Sequence, residues 1–271
     1  MNRFCFIDSS GIKPKDPFLG TGLLVVKSVG DLTDKLNKNS QPAKERTRLS
    51  KDEIVASLLA KGNKDEVIAI LRSNKRFEMK FDNVRTSVGA YYEHMVDIFL
   101  SDKKNRFSAM IVDRKHPKFD KNHSEDAWET YTKYAAELIV LEMRNLPPDD
   151  KFCIIVDEIT RPRNKPFSLE DTLLSKIEAE ISKNPSLKYE NIFGALSIES
   201  HSNFLMQLSD VLLGAVMFDY KKKANLVTPN MSARKEPLVN KIRTALMVDT
   251  LAQDFVTYSP SYFKVFESVQ M

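Results

Sequence analysis

Cysteine is scarce in this chain, with two among 271 residues, Cys5 and Cys153. Both lie inside apolar, strand-like runs and no CxxC pair occurs, which excludes a disulfide framework and a cysteine zinc site and predicts reduced core thiols. Of the four histidines only His201, beside Glu199, leaves a metal role open. His94, His116 and His123 lack ligand spacing and read as surface residues, and His201, with Glu199, flanks Ser200 on what reads as a polar loop rim. No apolar stretch reaches the roughly 18 residues of a membrane span, and the N-terminal apolar run is too short for a signal peptide. A cytoplasmic chain without membrane association is the resulting expectation. The net charge of +4 is too small to indicate nucleic-acid binding by itself. Repeats and low-complexity tracts are absent. The one tryptophan, Trp128, falls on a predicted helix with Tyr131 and Tyr134, where core packing outweighs base stacking.

With 42% hydrophobic and 29% charged residues, the sequence has the composition of a globular protein able to bury a real core. Phe4 to Ile7 reads as a buried strand, and "GLLVVKSV" as a second strand paired with it across a long turn. The segment from about 32 to 76 reads as a helical insertion, in which Ser50 and Glu53 form a capping box after a polar stretch. Helical spacing from Val84 to Leu100 is followed by the strand "RFSAMIVDR". Then come a helix from about Ser124 to Arg144, the strand "KFCIIVDEIT", a helix from about Ser168 to Lys183, the short strand "FGALSIES" and the apolar helix "SNFLMQLSDVLLGAVMFDY". Strands interleaved with helices predict one α/β domain over residues 1–271 with a mixed sheet flanked by helices. Residues 221–271 form its C-terminal extension.

Three acids stand where acids are costly. Asp8 shares a strand face with Phe4 and Phe6, Asp157 ends the apolar run Cys153–Val156, and Asp210 sits on a helix apolar nearly all round. In open α/β sheets ligands gather at the carboxyl ends of strands. Bland readings stand beside each: a turn former for Asp8, a cap or a salt bridge to Arg161 or Arg163 for Asp157, and a buried ion pair for Asp210. Gln207 is suited either to hold a ligand by its amide or to pack against a backbone carbonyl.

"FIDSSG", "FEMKF", "IIVDEI" and "IESHSNFLMQLSDVLLGAV" occur in an order and spacing that resembles the RNase H-like family catalogued as domain of unknown function 3800, over roughly Arg3 to Tyr220. Ser9 stands where that family usually carries Glu, and Ser209 where it carries Ala. The resemblance implies an RNase H-like fold and a phosphodiesterase acting on RNA, DNA or their hybrid through Mg²⁺ or Mn²⁺. By it Asp8, Asp157 and Asp210 are the metal ligands and Glu78 a weaker fourth catalytic acid, with Asp113 as rival for a place. Lys80 is placed to meet a phosphate. Basic loops at Lys103, Asp113 to Lys121, Arg161 to Lys165 and Lys221 to Lys223 would form a positive rim, with Arg161 and Arg163 on the substrate. The runner-up is a catalytically inactive binding module of the same fold, with a nucleic-acid or protein partner in a bacterial defence or mobile-element system. A haloacid-type phosphatase is a distant third, since its D-x-D-G-T turn is not matched by Asp8, Ser9, Ser10 and Gly11.

Overall fold

Strand β1 (Asn2–Ser10) forms where both faces of the chain can be covered, through the alternating apolar side chains of Phe4 to Ile7. The structure, a computed structural model, describes residues 1–271 apart from 14, 73–77, 117–118, 120–125, 160 and 269–271. β1 runs antiparallel to β2 (Phe18–Val26) and parallel to β4 (Lys151–Asp157). β2 in turn pairs antiparallel with β3 (Arg106–Asp113), and β4 pairs parallel with β5 (Ile192–Ile198). The order β5-β4-β1-β2-β3 puts three antiparallel strands in chain sequence beside two parallel ones, which is the RNase H-like arrangement. Beyond β3 the sheet continues with β7 (Tyr262–Glu267), parallel to β3, and β6 (Phe255–Thr257). The segment 221–271 therefore contributes strands to the same sheet.

Helices cover both faces. α4 (Ala127–Arg144) and α5 (Leu169–Ile181) pack on the face carrying Cys5, Ile7, Ile154 and Val156, where Trp128, Tyr131 and Tyr134 are core residues. The face carrying Phe6, Leu24, Val26 and Ile155 meets α3 (Gly89–Leu100), α6 (Phe204–Lys223), α7 (Pro229–Leu246) and part of α1 (Val29–Ala60). Cys5 and Cys153 are buried and free. No helix among the described residues is long and apolar enough to cross a membrane.

The insertion differs from its sequence reading. α1 runs unbroken through Pro42 and Ser50, so no helix begins at Ser50; α2 (Lys64–Arg72) follows. A proline and a polar composition argue against such a helix locally. Tertiary contacts override them: Leu32, Leu36 and Ala43 are buried, and the Asn39 amide donates to the Tyr91 carbonyl at 2.8 Å. The helix expected from Val84 starts at Gly89. His123, Phe77 and the expected start of the next helix at Ser124 lie outside the described residues.

α6 lies unusually close to the sheet. Asn203 caps its first turn, accepting from the Leu205 and Met206 amides at 2.9 and 3.1 Å, and Lys221 to Lys223 complement the dipole at its end. A side chain at Gly20 of β2 would lie 2.5 Å from Met217 Sδ, and one at Gly214 would lie 2.3 Å from Phe81 Cβ and Cγ. Gly214 thereby lets the short 3₁₀ turn Phe81–Asn83 press against α6. In an open helix Gly→Ala would gain about 1 kcal/mol. Here Gly214→Ala is expected to destabilise the protein by about 1–3 kcal/mol, the usual range for overpacking, as measured by urea unfolding; a net gain would mean that the turn moves aside freely.

Candidate active site

The register of the sheet places the first two acids together. Ile7 pairs with Val156 across the parallel β1/β4 ladder, so Asp8 and Asp157, one step further on, are neighbours on strands about 4.8 Å apart. Both stand on the face of Phe6 and Ile155, which α6 covers. On α6, the Ser209 hydroxyl donates to the Phe6 carbonyl at 3.5 Å and Asp210 follows directly. Asp210 Oδ1 accepts from the Phe81 amide at 2.7 Å. Across β2, Asp8 pairs with Gly22, which has no side chain to intrude.

Glu78 is brought in through Ser200. The Ser200 amide donates to Asp157 Oδ1 at 3.1 Å while its hydroxyl donates to Glu78 Oε1 at 2.5 Å. Lys80 Nζ lies 3.2 Å from the same Glu78 oxygen. Gln207 fixes this assembly from within α6: its carbonyl accepts from the Met79 amide at 3.0 Å, and its amide donates to the Ser200 and His201 carbonyls at 3.2 and 3.3 Å. Of the two readings of Gln207 the backbone one applies. Gln207 positions the Glu78 and Ser200 segments, and the ligand-holding role expected for it is corrected accordingly.

The electrostatics are those of crowded acids. Burial, then the neighbouring Asp210 and Asp157 carboxylates, push Asp8 well above the usual carboxylate range. Burial raises Asp157 as well, with Lys80 opposing. Burial raises Asp210 to about 6 against the pull of the Phe81 amide and Lys80. For Lys80, burial works against the charge, but Glu78, Asp210 and Asp157 outweigh it and hold its pKa above the ordinary value. Among the described residues Asp8, Asp157, Asp210 and Glu78 thus act on one another, with Lys80 as the ammonium that opposes them.

Other expected residues stand elsewhere. Gly22 pairs with both Asp8 and Ala109, so Asp113 lies two strands across and four residues beyond that row, about 13 Å further along. Its carboxylate caps the Lys115 amide at 2.8 Å. Arg161 and Arg163 are exposed in the loop between β4 and α5, with no ion pair to Asp157. Arg114 is turned inward onto the carbonyls of Ile12 and Asp16 at 3.0 Å each, and Lys165 pairs with Asp126 and Glu129, so part of the basic rim serves the fold. His201 pairs with Glu199 at 3.1 Å. Sequence reasoning missed the Phe81 amide, a backbone group that leaves no residue signature, and a pocket opening beside Asp8 and Asp210 that Asp82, Lys221, Met231 and Lys235 help to line.

Among the described residues no group of three or more His, Cys, Asp or Glu side chains is drawn close enough to hold a metal ion. Among these residues, therefore, no all-protein cage of the kind Ca²⁺ or Zn²⁺ takes is built. Mg²⁺ and its relatives differ, keeping several waters and using one or two carboxylates with substrate phosphates. Hard oxygen donors crowded into a half-buried site fit that mode.

The buried ion pair considered for Asp210 is found nine residues on. Asp219, buried on the same helix, pairs with Arg243 and accepts from the Leu251 amide at 2.6 Å. The two aspartates should respond oppositely to the same change. With its folded pKa raised to about 6, Asp210 favours the folded state when protonated. That contribution is whole below pH about 4 and is lost as pH rises through 6, a difference of roughly 2–3 kcal/mol. Asp210→Asn keeps an acceptor for the Phe81 amide, so in EDTA at pH 7.5 it should raise the melting temperature, with the gain fading towards pH 4. Asp219→Asn takes the buried carboxylate from Arg243 and leaves it Glu236 alone, at 2.9 Å, and should destabilise the protein, by up to about 3–5 kcal/mol. Thermal unfolding of both variants across pH checks the pair of signs.

No family model matches the chain, and no curated protein does. Among solved structures, the chain is similar to one in the complex of PCNA with RNase HII from Archaeoglobus fulgidus, with 13% identity, 89% of this chain and 88% of that one covered, and a TM-score of 0.43. A likeness of that size carries no argument, and the reading of the site rests on its own register and side chains.

Proposed function

We propose that this chain is a metal-dependent phosphodiesterase that hydrolyses RNA, DNA or a hybrid of the two, as the resemblance to the family catalogued as domain of unknown function 3800 implies. The observation that carries the reading is the approach of Asp8 from β1, Asp157 from β4 and Asp210 from α6 at one end of the sheet, where the carboxylates of Asp210 and Asp157 raise Asp8. Carboxylates crowded into a half-buried site are costly unless a cation or protons offset them. Mg²⁺ or Mn²⁺, when bound, supplies charge to the phosphate and polarises water for attack. Asp8 with Asp157 or Asp210 would hold it. Glu78, fixed by Ser200 and Lys80, would orient water at the rim of the site. Lys80, already held at the acids, is placed to meet a non-bridging phosphate oxygen.

A second reading, a binding module of the same fold without catalysis, is favoured by the lack of a preformed three-ligand group among the described residues and by Ser9 in the place of a family Glu. It would retain a nucleic-acid or protein partner, including one in a bacterial defence system.

Metal titration followed by melting temperature separates the two. The active reading expects Mn²⁺ to raise the melting temperature in a concentration-dependent way, single-stranded or duplex nucleic acid to be cut in its presence, and Asp8→Asn and Asp157→Asn each to abolish both effects. Stability indifferent to Mn²⁺ up to millimolar concentrations, with nucleic acid bound but uncut, would leave the binding module.

A further inference from the structure

The pocket beside the acids has a second half that the reading above does not use. Its lining joins Asp8, Asp210 and Asp82 to Leu213 and Met217 of α6, to Lys221 at the end of that helix and to Lys235 of α7. Lys235 is an unusual lysine, since it is 7% exposed, with its Nζ 4.5 Å from the centre of the Phe81 ring and 2.8 Å from Asp82 Oδ1. Its carboxylate partner is the reverse, with a side chain 93% exposed. A largely buried cation is thus fixed in place by its stem and by an aromatic ring. The carboxylate that neutralises it is solvated and exchanges for another anion at little cost.

Ammonium groups and apolar side chains beside carboxylates in one lining fit a nucleotide unit, whose phosphate is anionic and whose sugar and base present apolar faces. We propose that this pocket is the subsite for the nucleotide next to the scissile phosphate, with Lys235 exchanging Asp82 for that nucleotide's phosphate and Lys221 supporting it. The inference rests on the nuclease reading of the acids. Lys235 acts as a substrate-binding group, and Asp82 as a built-in competitor that occupies it while the pocket is empty. The arrangement also links binding to the acid site, since the ring under Lys235 belongs to the residue whose amide holds Asp210.

Two substitutions with opposite expected effects test it, read by binding of the 5′-phosphorylated dinucleotides pUpU and pdTpdT in EDTA and by steady-state cleavage of a longer strand with Mn²⁺. Lys235→Gln should weaken dinucleotide binding and raise KM by about 10-fold with little change in kcat, and should lower the salt slope of binding by about 0.7. Asp82→Asn, at an exposed side chain that folding tolerates, should tighten binding by roughly 3-fold by releasing Lys235. Should Lys235→Gln fail to fold, the Asp82→Asn arm decides alone. Wild-type protein that cuts nucleic acid while both variants bind and cut as it does would overturn the subsite and leave the nuclease reading standing. Wild-type protein that neither binds these probes nor cuts a strand would overturn both.

Discussion

The approach of α6 to the sheet is the constraint on which the rest depends. The helix is apolar nearly all round and can be buried only if the strands beneath it yield room, which Gly20 and Gly22 of β2 provide. Its own Gly214 then admits Phe81, whose amide meets Asp210. Sheet, helix and 3₁₀ turn are therefore held at backbone distance from one another, and the acids they carry have nowhere to separate. In a core packed at crystal density, such close approaches cannot be relaxed one at a time.

That closeness explains why one helix carries two aspartates with different chemistry, Asp219 buried and Asp210 half-buried. Asp219 is met by Arg243, by the Thr250 hydroxyl at 3.2 Å and by the Leu251 amide, so its charge is matched and ties α6 to α7 and the turn beyond it. Asp210 receives one amide and faces other acids. Groups left unmatched in a folded protein mark places where stability has been given up for function. The two residues, of the same type and nine positions apart, thus differ within a single element in how their charge is matched.

Much of this was legible in the sequence because the acids interrupt apolar patterns. Asp8 and Asp157 each follow an apolar run within their strands, Asp210 stands on a helix stretch with few polar residues, and a mixed sheet follows from the alternation of elements. Glu78 entered only through a family resemblance, since it lies in a segment without regular periodicity. What was hidden was hidden for physical reasons. The continuity of α1 through Pro42 comes from contacts with α3 that no local pattern encodes. The pairing of Asp82 with Lys235 spans 153 residues, and the Phe81 amide carries no side-chain signature. Asp113 imitated Asp157 in sequence, and only the register of β3 places it far from the others.

Gln207 has one further consequence. Its two polar atoms face opposite kinds of backbone group, an N–H from Met79 on one side and the carbonyls of Ser200 and His201 on the other. The position therefore reads polarity as well as shape. A glutamate of the same outline would turn a lone pair towards two carbonyls and add a fifth negative charge beside Asp8, Asp157, Asp210 and Glu78. A methionine of similar length would take the acceptor from the Met79 amide and a donor from the Ser200 and His201 carbonyls. At this point in the fold the smallest chemical step, oxygen for nitrogen, is the one the structure can least accept.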